Sequence, residues 1–246
     1  MDRFLYIAMS GATETLRAQT VNNHNLANAA TTGFRADLAA FQTRAVAGPG
    51  YASRAYGTNS TTGWSQELGP VQVTGRELDI AVQGQGWIAV QANDGGEAYT
   101  RAGDLRVDSD GVLKTGAGHI VMGGNGPLTV PPYSSIAIGG DGSISIVPLG
   151  QASTTTAVVG RIKLVNPPAS AVMRAEDGLF RVTGGAAPEA DAAVRVTSGA
   201  LEGSNVNAAE AMVTMIELAR HFEMQVKAMR TAEQNAASSA QLLKMG

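Results

Sequence analysis

The chain has 246 residues, 44% of them hydrophobic, and a formal charge of −3. That length holds one large domain or two modest ones with a real core, and the absence of a basic run argues against nucleic acid and against an anionic membrane surface. Thirty glycines with 5% aromatics fit a turn-rich β middle flanked by alanine-rich helices, and the absence of cysteine excludes disulfides and thiolate metal sites.

The apolar run at 4–9 is shorter than the about 7–15 residues of a secretory signal, so no cleaved signal is expected. No stretch approaches the ~18–20 apolar residues of a membrane span. Residues 4–30 read as a helix, with Ala12, Leu16, Ala18, Leu26 and Ala27 as good helix formers. Leu5, Met9, Ala12, Leu16, Gln19, Asn23 and Leu26 recur at steps of four and three. A repeat averaging 3.5 residues buries one narrow seam against another helix. Gln19 and Asn23 put polar side chains into that seam, which costs stability and fixes register and partner number. The asparagine-rich run at 22–28 competes with the helical backbone, so the helix is expected to end near Ala29. Thr31-Thr32-Gly33-Phe34 reads as its stop, with Gly33 in the C-terminal cap and Phe34 packing back.

Residues 35–75 form a connector of low periodicity. Its first part, 35–46, extends as a short helix or strand carrying Leu38 and Phe41, until Gly48-Pro49-Gly50 breaks it. Residues 51–75 are rich in Ser, Thr and Gly, with Trp64 and Leu68 as anchors, a turn at Gly69-Pro70 and a short strand at 71–73.

Residues 76–200 are a β-rich body. Strands are expected at 78–82, 87–90, 98–101, 105–107, 112–113, 136–138, 144–147, 157–165, 179–182 and 194–196. Glycine-rich turns at 83–86, 93–96, 108–111 and 139–142 separate them. Recurrence every 8–12 residues is the pattern of a sandwich or partly closed barrel. Two motifs here are decoys. Gly84-x-Gly86-x-x-Ala89 imitates a dinucleotide fingerprint, but the residues after it form a strand where phosphate binding needs a helix. Asp108-x-Asp110-Gly111 imitates the start of a calcium loop, yet Val112 stands at the fifth position and no glutamate closes it.

The three histidines, His24, His119 and His221, are far apart in sequence. No nucleophile elbow, carboxylate pair or metal-ligand spacing appears, so no catalytic residue, metal, cofactor or small-molecule substrate is expected.

The last segment, 201–246, returns to helix. Asn207 is placed to cap it, with Glu210 at the third helical position. A 4-3 spacing then runs through Ala208, Met212, Met215, Ala219, Phe222, Val226, Met229, Glu233, Ala236, Ala240 and Leu243. The fold class is therefore α+β, with terminal helices pairing as a coiled-coil-like domain around a central all-β domain. Small seam residues contribute little buried area and permit close approach of several helices. The pattern leaves two readings: an intramolecular hairpin capping the β domain, or a surface that neighbouring subunits complete.

The stretch Asn23-His24-Asn25-Leu26-Ala27-Asn28-Ala29-Ala30-Thr31-Thr32-Gly33-Phe34-Arg35 resembles the N-terminal signature of the flagellar rod and hook axial proteins, with His24 replacing one expected asparagine. The signature positions carried over are Asn25, Leu26, Ala27, Asn28, Thr31, Gly33 and Phe34. The segments at 78–87 and 99–103 resemble the start of that family's β domain. Ser204-Asn205-Val206-Asn207 and the following helix, with Arg220 and Glu223, resemble its C-terminal signature. The Met-Asp start, Asn28-Ala29, Gly86-Trp87-Ile88-Ala89-Val90 and the ending at 241–246 are most similar to proximal-rod members.

The resemblance implies a structural protein that polymerises through its terminal helices into a torque-transmitting shaft. Residues 1–34 and 201–246 would be the axial helical domain, 35–75 the connector and 76–200 the outer domain. Implied partners are copies of itself, other rod proteins and the flagellar export apparatus. The implied location is the periplasmic rod of the basal body. Another flagellar axial protein, or a secreted ligand-binding β domain with a helical hairpin, is the alternative.

Overall fold

The structure, a computed structural model, describes residues 2–45, 55–151, 155–184 and 187–244. The expected break at Gly48-Pro49-Gly50 and the ending Met245-Gly246 lie outside the described residues, as do the side chains of Phe41 and Leu243. The fold is α+β, a helix at each end and a mostly β centre. It divides into a helical unit, Met1–Ala29, Ala36–Ser65 and Val206–Gly246, and a β unit, Ala30–Arg35 and Gln66–Asn205.

In the helical unit, α1 (Asp2–Ala27) and α2 (Ala208–Lys244) pack together. The 35–75 stretch carries a strand in its first part, where a short helix or strand is expected, and a second one that its composition does not announce. It holds β1 (Asp37–Ala45) and β2 (Ala55–Trp64), an antiparallel pair that packs on α1. Tertiary pairing here overrides the low periodicity of a Ser/Thr/Gly-rich sequence. At its start, Asn207 caps α2 as expected. Its Oδ1 accepts the amides of Ala209 at 3.1 Å and Glu210 at 3.3 Å.

α1 ends at Ala27, earlier than expected, and Gly33 is not its cap. Asn28 closes the last turn, its amide and its side-chain Nδ2 both donating to the His24 carbonyl. Gly33 lies in the β unit, where its positive φ of 67° serves a different purpose.

The β unit contains a nine-stranded open sheet. Seven strands run in the order Val172–Arg174, Phe180–Val182, Glu97–Thr100, Trp87–Gln91, Ile120–Gly123, Leu113–Thr115, Leu105–Val107, and two short ones branch off, Gly126–Pro127 on Ile120–Gly123 and Leu164–Val165 on Trp87–Gln91. A three-stranded sheet of Tyr133–Ile138, Ser143–Pro148 and Ala157–Arg161 accompanies it, and no sheet closes on itself among the described residues. One core cluster draws Ile88 and Val90 from the first sheet and Ile136, Ile138, Ile144 and Ile146 from the second. The turns at 93–96, 108–111 and 139–142 join paired strands. The turn at 83–86 does not, because Ile80–Gln83 pairs instead with Arg195–Ser198. The stretch 157–165 is two strands, interrupted after Arg161. Ala200–Glu202 forms a strand on Val71–Val73, although Ala, Leu and Glu favour helix.

Candidate assembly surface

The helices of the helical unit run antiparallel. Asn22 of α1 donates to the Ala211 carbonyl at 2.8 Å. A Cβ on Gly11 would stand 3.0 Å from the Gln225 side chain, and Leu5 lines a groove with Val226, Met229 and Ala236. The α1 positions turned inward are Ala8, Gly11, Thr15, Ala18, Asn22 and Asn25, each buried or half-buried. On α2 they are Ala211, Met215, Leu218, Phe222, Gln225 and Met229. Both sets keep the 4-3 rhythm, but on α1 the stripe sits one residue before the sequence-derived one. The cause is residue size. Ala8, Gly11 and Ala18 let the helix axes approach, and the larger side chains of α2 fill the space.

The sequence-derived stripe of α1 consequently faces outward over most of its length. Leu5, Met9 and Leu16 are exposed at 39%, 51% and 47%, Asn23 is exposed, Gln19 and Leu26 are half-buried, and Ala12 is buried. On α2, Met215, Ala219, Phe222, Val226 and Met229 are half-buried, while Met212, Glu233 and Ala236 are exposed. A second outward face carries Met212, Val213, Ile216 and Met224, each 54–56% exposed. At 100° per residue these four span about 120° of the helix, opposite the inward stripe. α2 also outruns its partner, 37 residues against 26, or about 55 Å against about 39 Å at 1.5 Å per residue. Beyond Ala232 nearly every described side chain is exposed.

The asparagines of the signature do specific work in the helical unit. Asn25 clamps the start of β1, with Nδ2 donating to the Asp37 carbonyl at 2.9 Å and Oδ1 accepting the Asp37 amide at 2.8 Å. His24 Nδ1 meets the Asp37 carboxylate at 2.8 Å. Two rigid side chain–backbone contacts at one residue set where the chain leaves the helix and enters the strand.

From Ala30 on the signature belongs to the β unit and ends on a buried charge hub. Glu202, Arg35 and Arg101 are each no more than 3% exposed. Glu202 Oε1 accepts from Arg35 Nη2 at 2.8 Å and from the Gly69 amide at 3.1 Å. Its Oε2 accepts from Arg101 Nε at 2.8 Å and Nη2 at 2.6 Å, and its carbonyl takes the Gly33 amide at 2.8 Å. Arg101 also donates to the carbonyls of Gly84 and Gly86, at 2.8 and 2.7 Å, holding the 83–86 turn. Burial pulls the Arg35 pKa down to about 10, against Glu202 pulling it up and with Arg101 lowering it further; the guanidinium stays charged at neutral pH. A Cβ on Gly33 would lie 2.3 Å from the Arg101 carbonyl carbon, so glycine is required for the close approach. Phe34 is half-buried under the Arg174 guanidinium, 4.5 Å from its ring centroid, and Arg174 also covers Phe180, which packs on Trp87. Of the remaining signature positions, Asn28 is half-buried, and Ala27 and Thr31 are exposed. Glu202 is the buried hub that the sequence pattern does not reveal, since nothing in its local pattern separates it from a solvated glutamate.

The decoys resolve as turns. The Gly84 and Gly86 carbonyls face a guanidinium, a polarity opposite to what a phosphate needs. Asp108 spends its carboxylate on the amides of Asp110 and Val112 and on Lys114 at 2.6 Å.

An outward apolar face on a helical pair, joined to a β unit locked by its own charges, is the anatomy of an assembling subunit, and comparison with known proteins agrees. Residues 81–146 match the family model described as the flagellar hook protein FlgE/F/G D1 domain. Residues 197–242 match that of the flagellar basal body rod FlgEFG protein C-terminal. The chain is 46% identical over its full length, and theirs, to the flagellar basal-body rod proteins FlgF of Salmonella typhimurium and Escherichia coli. It is 30% identical to the FlgG rod protein of Bacillus subtilis, covering 95% of this chain and 96% of the other. With these relatives, the chain belongs to the FlgF family of flagellar basal-body rod proteins.

Proposed function

We propose that the chain, a structural rod subunit and not an enzyme, builds the proximal rod by completing the outward faces of its helical pair with neighbouring subunits. The observation that carries this reading is the pair of exposed stripes, Met9 and Leu16 on α1 and Met212-Val213-Ile216-Met224 on α2. A helix buries one apolar stripe against its core and carries polar residues opposite. Here the inward stripes are already used, so large apolar side chains on the other face mark a second contact. Copies of this chain and other rod proteins supply it, packing the helices of 1–34 and 201–246 into an inner, coiled-coil-like layer. Residues 76–200 form the outer layer, whose two sheets share a core in the manner of a sandwich. Passage through the flagellar export apparatus without a cleaved signal, and a periplasmic location, fit the same reading.

The test is the triple variant Leu16→Gln/Val213→Gln/Ile216→Gln, expressed in a strain lacking the chain. The purified variant keeps its denaturation midpoint, since exposed substitutions change stability by about 0.5 kcal/mol or less. Basal bodies purified from that strain should lack it, and the cells should not swim. Normal incorporation by mass spectrometry would overturn the proposal.

A further inference from the structure

The chain has nine methionines and no cysteine, so its sulfur redox chemistry rests on thioethers alone. Among the described residues four methionines are exposed: Met9 at 51%, Met173 at 57%, Met212 at 54% and Met224 at 56%. Met122, Met215 and Met229 are half-buried. Three of the exposed four lie on the outward helical faces; Met173 lies on a strand of the β unit.

We propose that Met9, Met212 and Met224 are sulfoxidation positions through which hypohalous acid blocks assembly of the free subunit. In the reaction the thioether sulfur attacks the chlorine of hypochlorous acid, releasing hydroxide. Water then displaces chloride from the chlorosulfonium, forming the S–O bond and losing two protons. The net change is thioether plus hypochlorous acid to sulfoxide, chloride and one proton: sulfur loses two electrons and chlorine gains them. A sulfoxide is polar and a strong acceptor, and it converts a flexible apolar filler into a group that must be hydrogen-bonded. On an exposed helix this costs nothing. Buried without a donor against a neighbouring apolar helix, it costs the desolvation of a polar group. Modification therefore discriminates by state: the free subunit is accessible and loses competence, while a subunit already packed has these sulfurs covered. Sulfoxide reduction reverses the block. The inference rests on the assembly reading above.

The experiment has two arms. Purified full chain receives graded hypochlorous acid, and peptide mass spectrometry follows each methionine; Met9, Met173, Met212 and Met224 should convert before Met122, Met215 and Met229. In the second arm a strain lacking the chain produces wild type, M9L/M212L/M224L, M9Q/M212Q/M224Q or M173Q, with and without oxidant during rod assembly. Incorporation into purified basal bodies is read for each. Wild type should fall at least about tenfold under oxidant, a loss of about 1.4 kcal/mol, and the leucine triple should hold its level. The glutamine triple should fail without oxidant, and M173Q should assemble normally. Equal oxidant sensitivity of wild type and the leucine triple overturns the proposal, as does normal assembly of the glutamine triple. If L16Q/V213Q/I216Q fails to assemble while the glutamine triple succeeds, the assembly reading stands and the oxidation proposal falls. If both assemble, the assembly reading itself is lost.

Discussion

The two units bury opposite kinds of residue. In the β unit the large aliphatics, Ile80, Ile88, Leu105, Leu113 and Ile144, are fully buried, and the cations Arg35 and Arg101 taken inside with them share the single carboxylate of Glu202. Among the described residues of the helices the buried hydrophobics are alanines, Ala8, Ala12, Ala18 and Ala211, while Leu16, Ile216, Met9, Met212 and Met224 are exposed. Since apolar burial contributes roughly 25 cal/mol per Å², the alanine and glycine positions on the α1 side of the seam contribute little area. Isolated helices gain little from propensity alone. The β unit gathers its large aliphatics into one core while still exposing others, such as Val73, Leu149 and Val158; on the helices the most deeply buried apolar side chains are small and many large ones are exposed. Stability and assembly competence are thus divided between units of one chain, and that division can be tested from each side.

The largest effect is expected in the β unit. Glu202→Ala leaves Arg35 and Arg101 as buried cations without a counter-charge. Removing one partner of a buried pair costs about 3–5 kcal/mol. Urea denaturation followed by the fluorescence of Trp87, which lies in this unit and is buried against Phe180, should show the midpoint falling accordingly. An unchanged midpoint would mean the hub adds nothing and would erase the contrast between the units.

In the helical unit the comparable substitution should be milder and more local. Asn25→Ala removes both contacts to the Asp37 backbone. Each such hydrogen bond is worth about 0.5–1.5 kcal/mol. Hydrogen exchange at the Asp37 amide should quicken by about tenfold, one factor of ten per 1.4 kcal/mol. Amides of the 87–91 strand should keep their rate. Loss of protection in both units would show that they do not open independently.

How much of this was legible in the sequence follows from the range of the interactions. Hairpins closed by Asn93-Asp94-Gly95-Gly96 and Gly139-Gly140-Asp141-Gly142 are local, and the turn chemistry announced them. The cap at Asn207 is equally local. Gly33 was singled out for the wrong reason: its positive φ resembles a helix stop, but the demand for glycine comes from Arg101, a contact between distant segments. Glu202 was silent because its partners are Arg35 and Arg101, and short-range patterns carry no trace of them. The inward stripe of α1 was missed because hydrophobic periodicity weights Leu5, Met9 and Leu16 above Ala8, Gly11 and Ala18, whereas close approach is decided by the small residues. β2 was hidden by a composition that forms a strand only through its pairing with β1.

The smallest expected effect is acid sensitivity confined to the turns of the β unit. Asp141 is held well below the usual carboxylate range, first by the Ser143 hydroxyl, then by the Ser143 amide, then by Arg161. Asp108 is lowered chiefly by Lys114, then by the Val112 amide. A carboxylate whose folded pKa is depressed contributes stability that is fully present above its unfolded value, about 3.9. That contribution disappears as pH falls through the folded pKa, because the unfolded chain takes up the proton first. Asp141→Asn should therefore be less stable than wild type at pH 7, and the gap should narrow steadily between about pH 4 and pH 2. Both carboxylates are solvent-exposed turn residues, so solvent screens their pairs and the gap is small. Its value lies in location: Asp108 and Asp141 belong to the β unit. Denaturation curves of wild type and variant that stay parallel from pH 7 to pH 2 would detach acid sensitivity from these turns.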